Sequence, residues 1–186
     1  MEGYFFRNFG FIISKIPEDL LNSIKEECVN AKDIWETGIS GHNVPIHFKV
    51  KNKNLIEKFI LDLVLIYEKN YGKHYDTEDN LNINRLAIGP CWINNHFKNE
   101  IIPLHDHQGI YSFVFWIELP KNIKDKQGNF QFVYTNVLGQ ICKHSILLNK
   151  DYEGKVILFP SKLNHQVLPF NSEEKRVSIA GNVHNN

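Results

Sequence analysis

Two histidines one residue apart, His105 and His107, open an apolar run that continues from Tyr111 to Leu119. In an extended chain residues i and i+2 point to the same face, so the two imidazoles converge while Asp106 points away. Neutral imidazole is the commonest metal ligand among side chains, and two converging rings form a site that needs a third donor. His165 can supply it. It follows the apolar segment Val156 to Phe159 and a Pro160-Ser161 turn, and it opens another apolar segment. Eleven residues later comes Arg176. On a strand Arg176, Ser178, Ala180 and Asn182 share a face, so a guanidinium and a hydroxyl there could grip one carboxylate together. His42, His47, His74, His96, His144 and His184 lack any partnered pattern and read as structural or surface groups. Arg85 reads equally as a rim ion pair or a contact for an acidic substrate.

The elements that must position these groups lie mostly in the second half of the chain. After Asp79 the sequence predicts short strands at Ile83–Ile88, Cys91–Asn95, Tyr111–Leu119, Asn129–Thr135, Ile141–Leu148, Lys155–Phe159, His165–Pro169 and Arg176–Val183. Turn residues such as Gly89-Pro90, Gly128, Gly139 and Gly154 punctuate them. Eight strands at this spacing imply a mainly β fold, a jelly roll with helices packed outside. Upstream, Tyr4–Ile13 reads as a first strand, and a helix starts after Pro17, with Leu20, Leu21, Ile24 and Cys28 at helical spacing. Residues 33–52 read as loop or short extended pieces. A second helix runs over Leu55–Tyr67, with Leu55, Phe59, Leu63 and Ile66 as its apolar stripe, widened by Ile56, Ile60 and Val64, and Gly72 as its stop. The organisation expected is one domain over residues 1–186, with a helical support at about 1–80 and a jelly-roll core at about 83–183.

Lys plus Arg and Asp plus Glu both total 21, with no block of like charge, which argues against nucleic acid or an anionic membrane surface as partner. Three scattered cysteines (Cys28, Cys91 and Cys142) in no CxxC pattern read as reduced thiols. No basic-then-apolar leader and no apolar stretch of transmembrane length stands in the sequence. A cytoplasmic location is the expectation.

The ordered set Trp92, Asn94, His105, His107, Gly109, Ser112, Val114, Phe159-Pro160-Ser161, Leu163, His165, Val167, Pro169, Arg176, Ser178 and Asn182 resembles the 2-oxoglutarate/Fe(II)-dependent dioxygenases. It is most similar to their small bacterial and phage branch, over about residues 85–183. The resemblance implies a double-stranded β-helix with Fe(II) at one open end. It also implies 2-oxoglutarate chelating the metal, with its far carboxylate on Arg176 and Ser178, and O2 as oxidant. Asn94, Tyr111 and Asn182 become candidates for the cosubstrate pocket, although Tyr111 also reads as core, Asn182 as a plain strand residue, and Trp92 as core. The implied reaction couples oxidative decarboxylation of 2-oxoglutarate to hydroxylation of a substrate, a small molecule or a protein side chain.

One departure matters. Most of the superfamily binds iron with two histidines and a carboxylate spaced His-x-Asp/Glu. Here the position two after His105 is His107. Strand parity favours His105, His107 and His165, whereas a bulge at the strand mouth would swing Asp106 inward in place of His107. Two alternatives stand beside the oxygenase. Cupins also use His-x-His with a distal histidine, but their following glutamate would fall at Tyr111 or Ser112, and Arg176 would have no task. A non-catalytic jelly-roll binding module would not need the intact ligand set.

Overall fold

A computed structural model describes residues 10–34, 44–71, 83–121, 123 and 126–185. Among these residues ten strands and two α-helices follow in the order β1 (Ile12–Lys15), α1 (Glu18–Asn30), β2 (Ile46–Lys49), α2 (Asn54–Tyr71), β3 (Leu86–His96), β4 (Ile102–His105), β5 (Tyr111–Glu118), β6 (Phe130–Thr135), β7 (Ile141–Ile146), β8 (Lys155–Pro160), β9 (His165–Val167) and β10 (Arg176–Asn185). A six-stranded sheet runs β1-β8-β5-β10-β3-β2 and a four-stranded sheet β4-β9-β6-β7, with every pairing antiparallel. This is the expected double-stranded β-helix.

The large sheet is buried on both faces, which is why its central strands read as unbroken apolar runs. Along β5, Tyr111, Phe113, Phe115 and Ile117 enter the core beneath the helices, whereas Val114 and Trp116 enter the core between the two sheets. On β8, Val156 and Leu158 face the helices and Ile157 and Phe159 face the sandwich interior. Helix α1 begins just after Pro17, its N-cap, with Glu18 and Asp19 in the first turn where the helix dipole favours acids. Helix α2 buries Ile56, Ile60, Leu63, Val64 and Tyr67. Its buried face is therefore turned from the predicted stripe, since Leu55 and Ile66 are exposed. Tyr67 explains the rotation: its ring meets Tyr111 on β5 with centroids 5.2 Å apart.

Three further expectations change. The break predicted at Gly89-Pro90 is no break. Strand β3 runs through it because Cys91 pairs Gly181 and Ile88 pairs Val183, leaving Gly89 and Pro90 opposite Asn182 alone. Such a bulge accepts a proline that cannot donate to the ladder. The segment before residue 80 is more than a helical support, since it also supplies β1 and β2 to the edges of the large sheet. The predicted first strand lies at Ile12–Lys15, and the part of the expectation at residues 4–9 falls outside the described residues, as does Gly72.

Candidate metal centre and cosubstrate pocket

Strands β4 and β9 meet at their ends, where His105 pairs directly with His165 across the ladder. His107 lies just past the end of β4, and its backbone N–H donates to Ser161 O at 2.9 Å, which fixes the turn that brings it back. The three rings face one another with centroids 4.7 Å (His105–His107), 4.3 Å (His105–His165) and 5.1 Å (His107–His165) apart. One nitrogen from each lies within 4.8 Å of the other two. The side-chain environment selects which nitrogen is free. His105 Nδ1 lies 2.7 Å from Pro103 O and His165 Nδ1 lies 3.0 Å from Leu163 O. A carbonyl can only accept, so both Nδ1 atoms carry the proton and both Nε2 lone pairs remain for a metal.

His165 is held in an aromatic wedge, stacked on Phe130 at 5.3 Å and edge-on to Phe159 at 4.9 Å. Trp92 backs His107 at 5.6 Å. Burial is the main cause that pushes all three imidazoles down, His107 to about 4 and His165 well below its ordinary value, and for these two the neighbouring rings add repulsion. All three are therefore neutral near pH 7, so a metal need displace no proton. Asp106 is exposed, and its carboxylate pairs with Lys162 Nζ at 3.2 Å on the rim. The irregularity in the β4–β9 pairing falls between Ile102 and His105, ahead of the first histidine. It does not turn Asp106 inward.

The triad opens on a cavity of about 400 Å³ between the sheets, which is also lined by His47, Trp92, Asn94, His96, Ser112, Arg176 and Ser178. Six of these sit in three cross-strand rows on the large sheet. Arg176 pairs with His96, the next row is Ser178–Asn94–His47, and the next Ala180–Trp92–Lys49. Arg176 is 2 % exposed. Its Nη1 donates to Gly128 O at 2.6 Å and its Nη2 to His96 Nδ1 at 3.2 Å, while Phe170 lies under the guanidinium at 5.3 Å. His96 Nε2 meets Glu100 O at 2.6 Å, so that nitrogen carries the proton and Nδ1 accepts from arginine. Burial, then the Arg176 charge, holds His96 down to about 3. Burial also lowers Arg176, to about 9, leaving it charged at neutral pH.

Among the described residues no carboxylate pairs with Arg176. A buried cation without a counter-ion is costly, and this one lies at the wall of a cavity able to receive an anion. Asn94 Nδ2 donates to Ser178 Oγ at 3.3 Å, and the other amide atom, Oδ1, is buried without a partner among the described residues. The residues present thus fit both groups: three neutral nitrogen donors for a divalent metal, and an unpaired guanidinium beside a hydroxyl for a dicarboxylate.

Two candidates fall elsewhere. Tyr111 does not line the cavity; it is fully buried under the helices, and its hydroxyl donates to Glu68. Parity placed it with the histidines, but β5 turns that face toward α2. Asn182 keeps the alternation of Ser178 and Ala180 and pairs with Ser112 on β5, yet it does not line the cavity, where Ser112 stands instead. Its Oδ1 instead accepts from Ser112 Oγ at 2.7 Å. Arg85 is exposed and not at the cavity. Among the histidines that read from sequence as structural or surface groups, His96 and His47 both line the cavity. For His96 the signal was available: it continues the alternation Trp92, Asn94, His96 along one strand face.

A jelly roll with a histidine triad at its open end and a buried cation across the cavity defines the architecture of a non-haem metal oxygenase. The model of the family described as "Putative 2OG-Fe(II) oxygenase" matches residues 90–182, and the chain belongs to this family of 2-oxoglutarate/Fe(II)-dependent oxygenases, oxidoreductases that use Fe(II), 2-oxoglutarate and O2. The cupin and binding-module alternatives are not favoured. No curated protein sequence matches the chain. Among solved structures, a Pseudomonas putida prolyl-4-hydroxylase is 13% identical with a TM-score of 0.59, covering 96% of this chain and 94% of that one. HygX from Streptomyces hygroscopicus, with nickel, 2-oxoglutarate and hygromycin B bound, is 13% identical with a TM-score of 0.60 over 95% and 83%. A Trichoplax adhaerens prolyl hydroxylase in complex with a hypoxia inducible factor peptide fragment is 12% identical with a TM-score of 0.56 over 95% and 84%. At these identities the likeness is one of fold. No helix among the described residues is long and apolar enough to cross a membrane.

Proposed function

We propose that His105, His107 and His165 hold Fe(II), that Arg176 and Ser178 grip the far carboxylate of 2-oxoglutarate, and that the enzyme hydroxylates a small molecule or a protein side chain. The observation that carries the reading is Arg176, a buried guanidinium facing the cavity with no carboxylate partner among the described residues. When bound, iron with O2 supplies the oxidising chemistry: 2-oxoglutarate, O2 and a C–H bond become succinate, CO2 and an alcohol. The protein's own part is positional. His96 orients the guanidinium by accepting from Nη2, and the Ser178 hydroxyl, which accepts from Asn94, keeps its own proton free to donate to the carboxylate. The aromatic wedge of Phe130 and Phe159 limits the motion of His165, and the apolar walls keep water from the reacting centre.

All three metal ligands are neutral in this assignment, so the charge of the bound metal is balanced by the cosubstrate rather than by a protein carboxylate. The solved structures of similar fold hold a peptide fragment in one case and hygromycin B in another, which supports both substrate classes. The free thiols of Cys28, Cys91 and Cys142 support a reducing, cytoplasmic setting. Fe(II)-dependent release of succinate from 2-oxoglutarate, followed by mass spectrometry for products gaining one oxygen in host-cell extract, tests the assignment. Unchanged succinate release in Arg176→Met or His165→Ala would overturn it.

A further inference from the structure

Resting on that metal and cosubstrate assignment, we infer that His47 is a substrate-recognition residue that binds a neutral hydroxyl or amide group of the primary substrate, on the side of the cavity between strands β2 and β4.

His47 is 4 % exposed and lines the cavity. Both of its ring nitrogens are buried, and neither has a hydrogen-bond partner among the described residues. Nearly all buried polar groups in folded proteins are satisfied, so an imidazole with two orphaned nitrogens beside a cavity calls for a ligand. Burial, then the neighbouring His105, pushes its pKa down to about 4, so the ring is neutral and offers one donor and one acceptor. A 2-oxoglutarate dianion carries acceptors only and can satisfy one of the two. A hydroxyl or a secondary amide carries both a donor and an acceptor, so it can pair with whichever ring nitrogen it meets.

Position separates His47 from the cosubstrate as well. It sits in the row Ser178–Asn94–His47, two strands from Ser178, which at the usual strand spacing is about 10 Å. Asn94 stands between them. Strand β2 is the last strand of the large sheet and β4, which ends at His105, is the last of the small one. His47 and His105 therefore flank the same open side of the sandwich, away from the closed end where Arg176 lies against Gly128 and Phe170. A group held by His47 would sit beside the metal ligands without competing for Arg176.

The test compares wild type, His47→Leu and His47→Gln as Zn(II)-loaded protein. A histidine whose role is structural would destabilise the fold when replaced. Replacing an unsatisfied imidazole by a side chain of similar bulk should instead leave Tm unchanged or raise it, by roughly 2–4 °C. Quenching of Trp92 and Trp116, both at the cavity, should report 2-oxoglutarate affinity within threefold of wild type for His47→Leu. In the zinc and 2-oxoglutarate complex, N-methylacetamide and 1-propanol should shift the His47 ring resonances, whereas acetate and ethylammonium should not. Saturation transfer to the two neutral probes should be lost in His47→Leu and kept in His47→Gln, and the stronger of them distinguishes an amide from a hydroxyl substrate. A fall in Tm for His47→Leu, a loss of 2-oxoglutarate affinity beyond threefold in that variant alone, or a preference for the charged probes overturns the inference. Failure of the wild type itself to bind 2-oxoglutarate overturns the parent assignment, and this inference with it.

Discussion

Replacing Arg176 with methionine is the most direct perturbation of the proposed site, because it keeps the bulk and removes the charge. The guanidinium has five N–H donors. Gly128 O and His96 Nδ1 take two, leaving three for the carboxylate that Ser178 would also contact in the proposed complex. Truncating one partner of a buried charged hydrogen-bonded pair costs about 2–5 kcal/mol, a loss of roughly thirtyfold to several thousandfold in affinity. The depth of burial places this site in the upper half of that range. In the ligand-free protein two effects oppose. Methionine leaves Gly128 O and His96 Nδ1 unpaired, at about 1–3 kcal/mol each, and it also removes a buried cation that has no counter-ion. The free protein should therefore lose far less stability than the complex loses affinity. Titrating 2-oxoglutarate into Ni(II)-loaded protein and following Trp92 and Trp116 fluorescence measures the second quantity without turnover. Arg176→Lys should recover only part of the affinity, since an ammonium lacks the planar fork. Affinity within threefold of wild type in Arg176→Met would falsify the cosubstrate assignment.

His107→Ala should lower metal affinity by more than a hundredfold, since even outer-shell partners of metal ligands contribute 10–100-fold, while Asp106→Ala should retain metal; iron kept by His107→Ala and lost by Asp106→Ala reverses the ligand assignment. Asn182→Ala should cost about 1 kcal/mol of stability through the Ser112 bond and leave 2-oxoglutarate affinity intact, as chemical denaturation and the same titration would show. For His96, held at about 3 in the fold against its ordinary value near 6.5, the unfolded chain binds the extra proton between those values, so its contribution is fully present above pH 6.5 and is lost as pH falls toward 3. Unfolding free energy of metal-free protein should drop by up to about 1.4 kcal/mol per pH unit from this group, and a His96→Gln variant with an equally steep acid slope would contradict that origin. Gly181→Ala should destabilise by about 1–3 kcal/mol, because its Cβ would stand 2.5 Å from Phe113 and 2.8 Å from Cys91 Sγ; an unchanged thermal midpoint would show that the core gives way there.

The chemistry was legible in sequence wherever it depended on alternation within one uninterrupted strand. Arg176, Ser178 and Ala180 follow one another at intervals of two on β10, so a period-two backbone places them on one side; His107, just past the end of β4, also needs its bond to Ser161 O to join His105. The same rule put Asn182 on the expected face but could not show that it stops short of the cavity, because that depends on Ser112 of β5, seventy residues away, whose hydroxyl donates to its Oδ1. It failed at Tyr111 for a different reason. A strand buried on both faces offers no polar side, so its sequence does not say which face meets the helices.

Alternation and turn residues by themselves determined that this chain is a jelly roll with a histidine pair and a conditional third partner, and the motif order pointed to the family. Only the tertiary structure decided that Asp106 turns out to Lys162, that His96 supports Arg176, and that His47 stands unsatisfied at the cavity wall. Each of those depends on what lies across a sheet or between sheets. Side-chain direction is local, but the partner that satisfies or strands a polar atom is set by packing at long range.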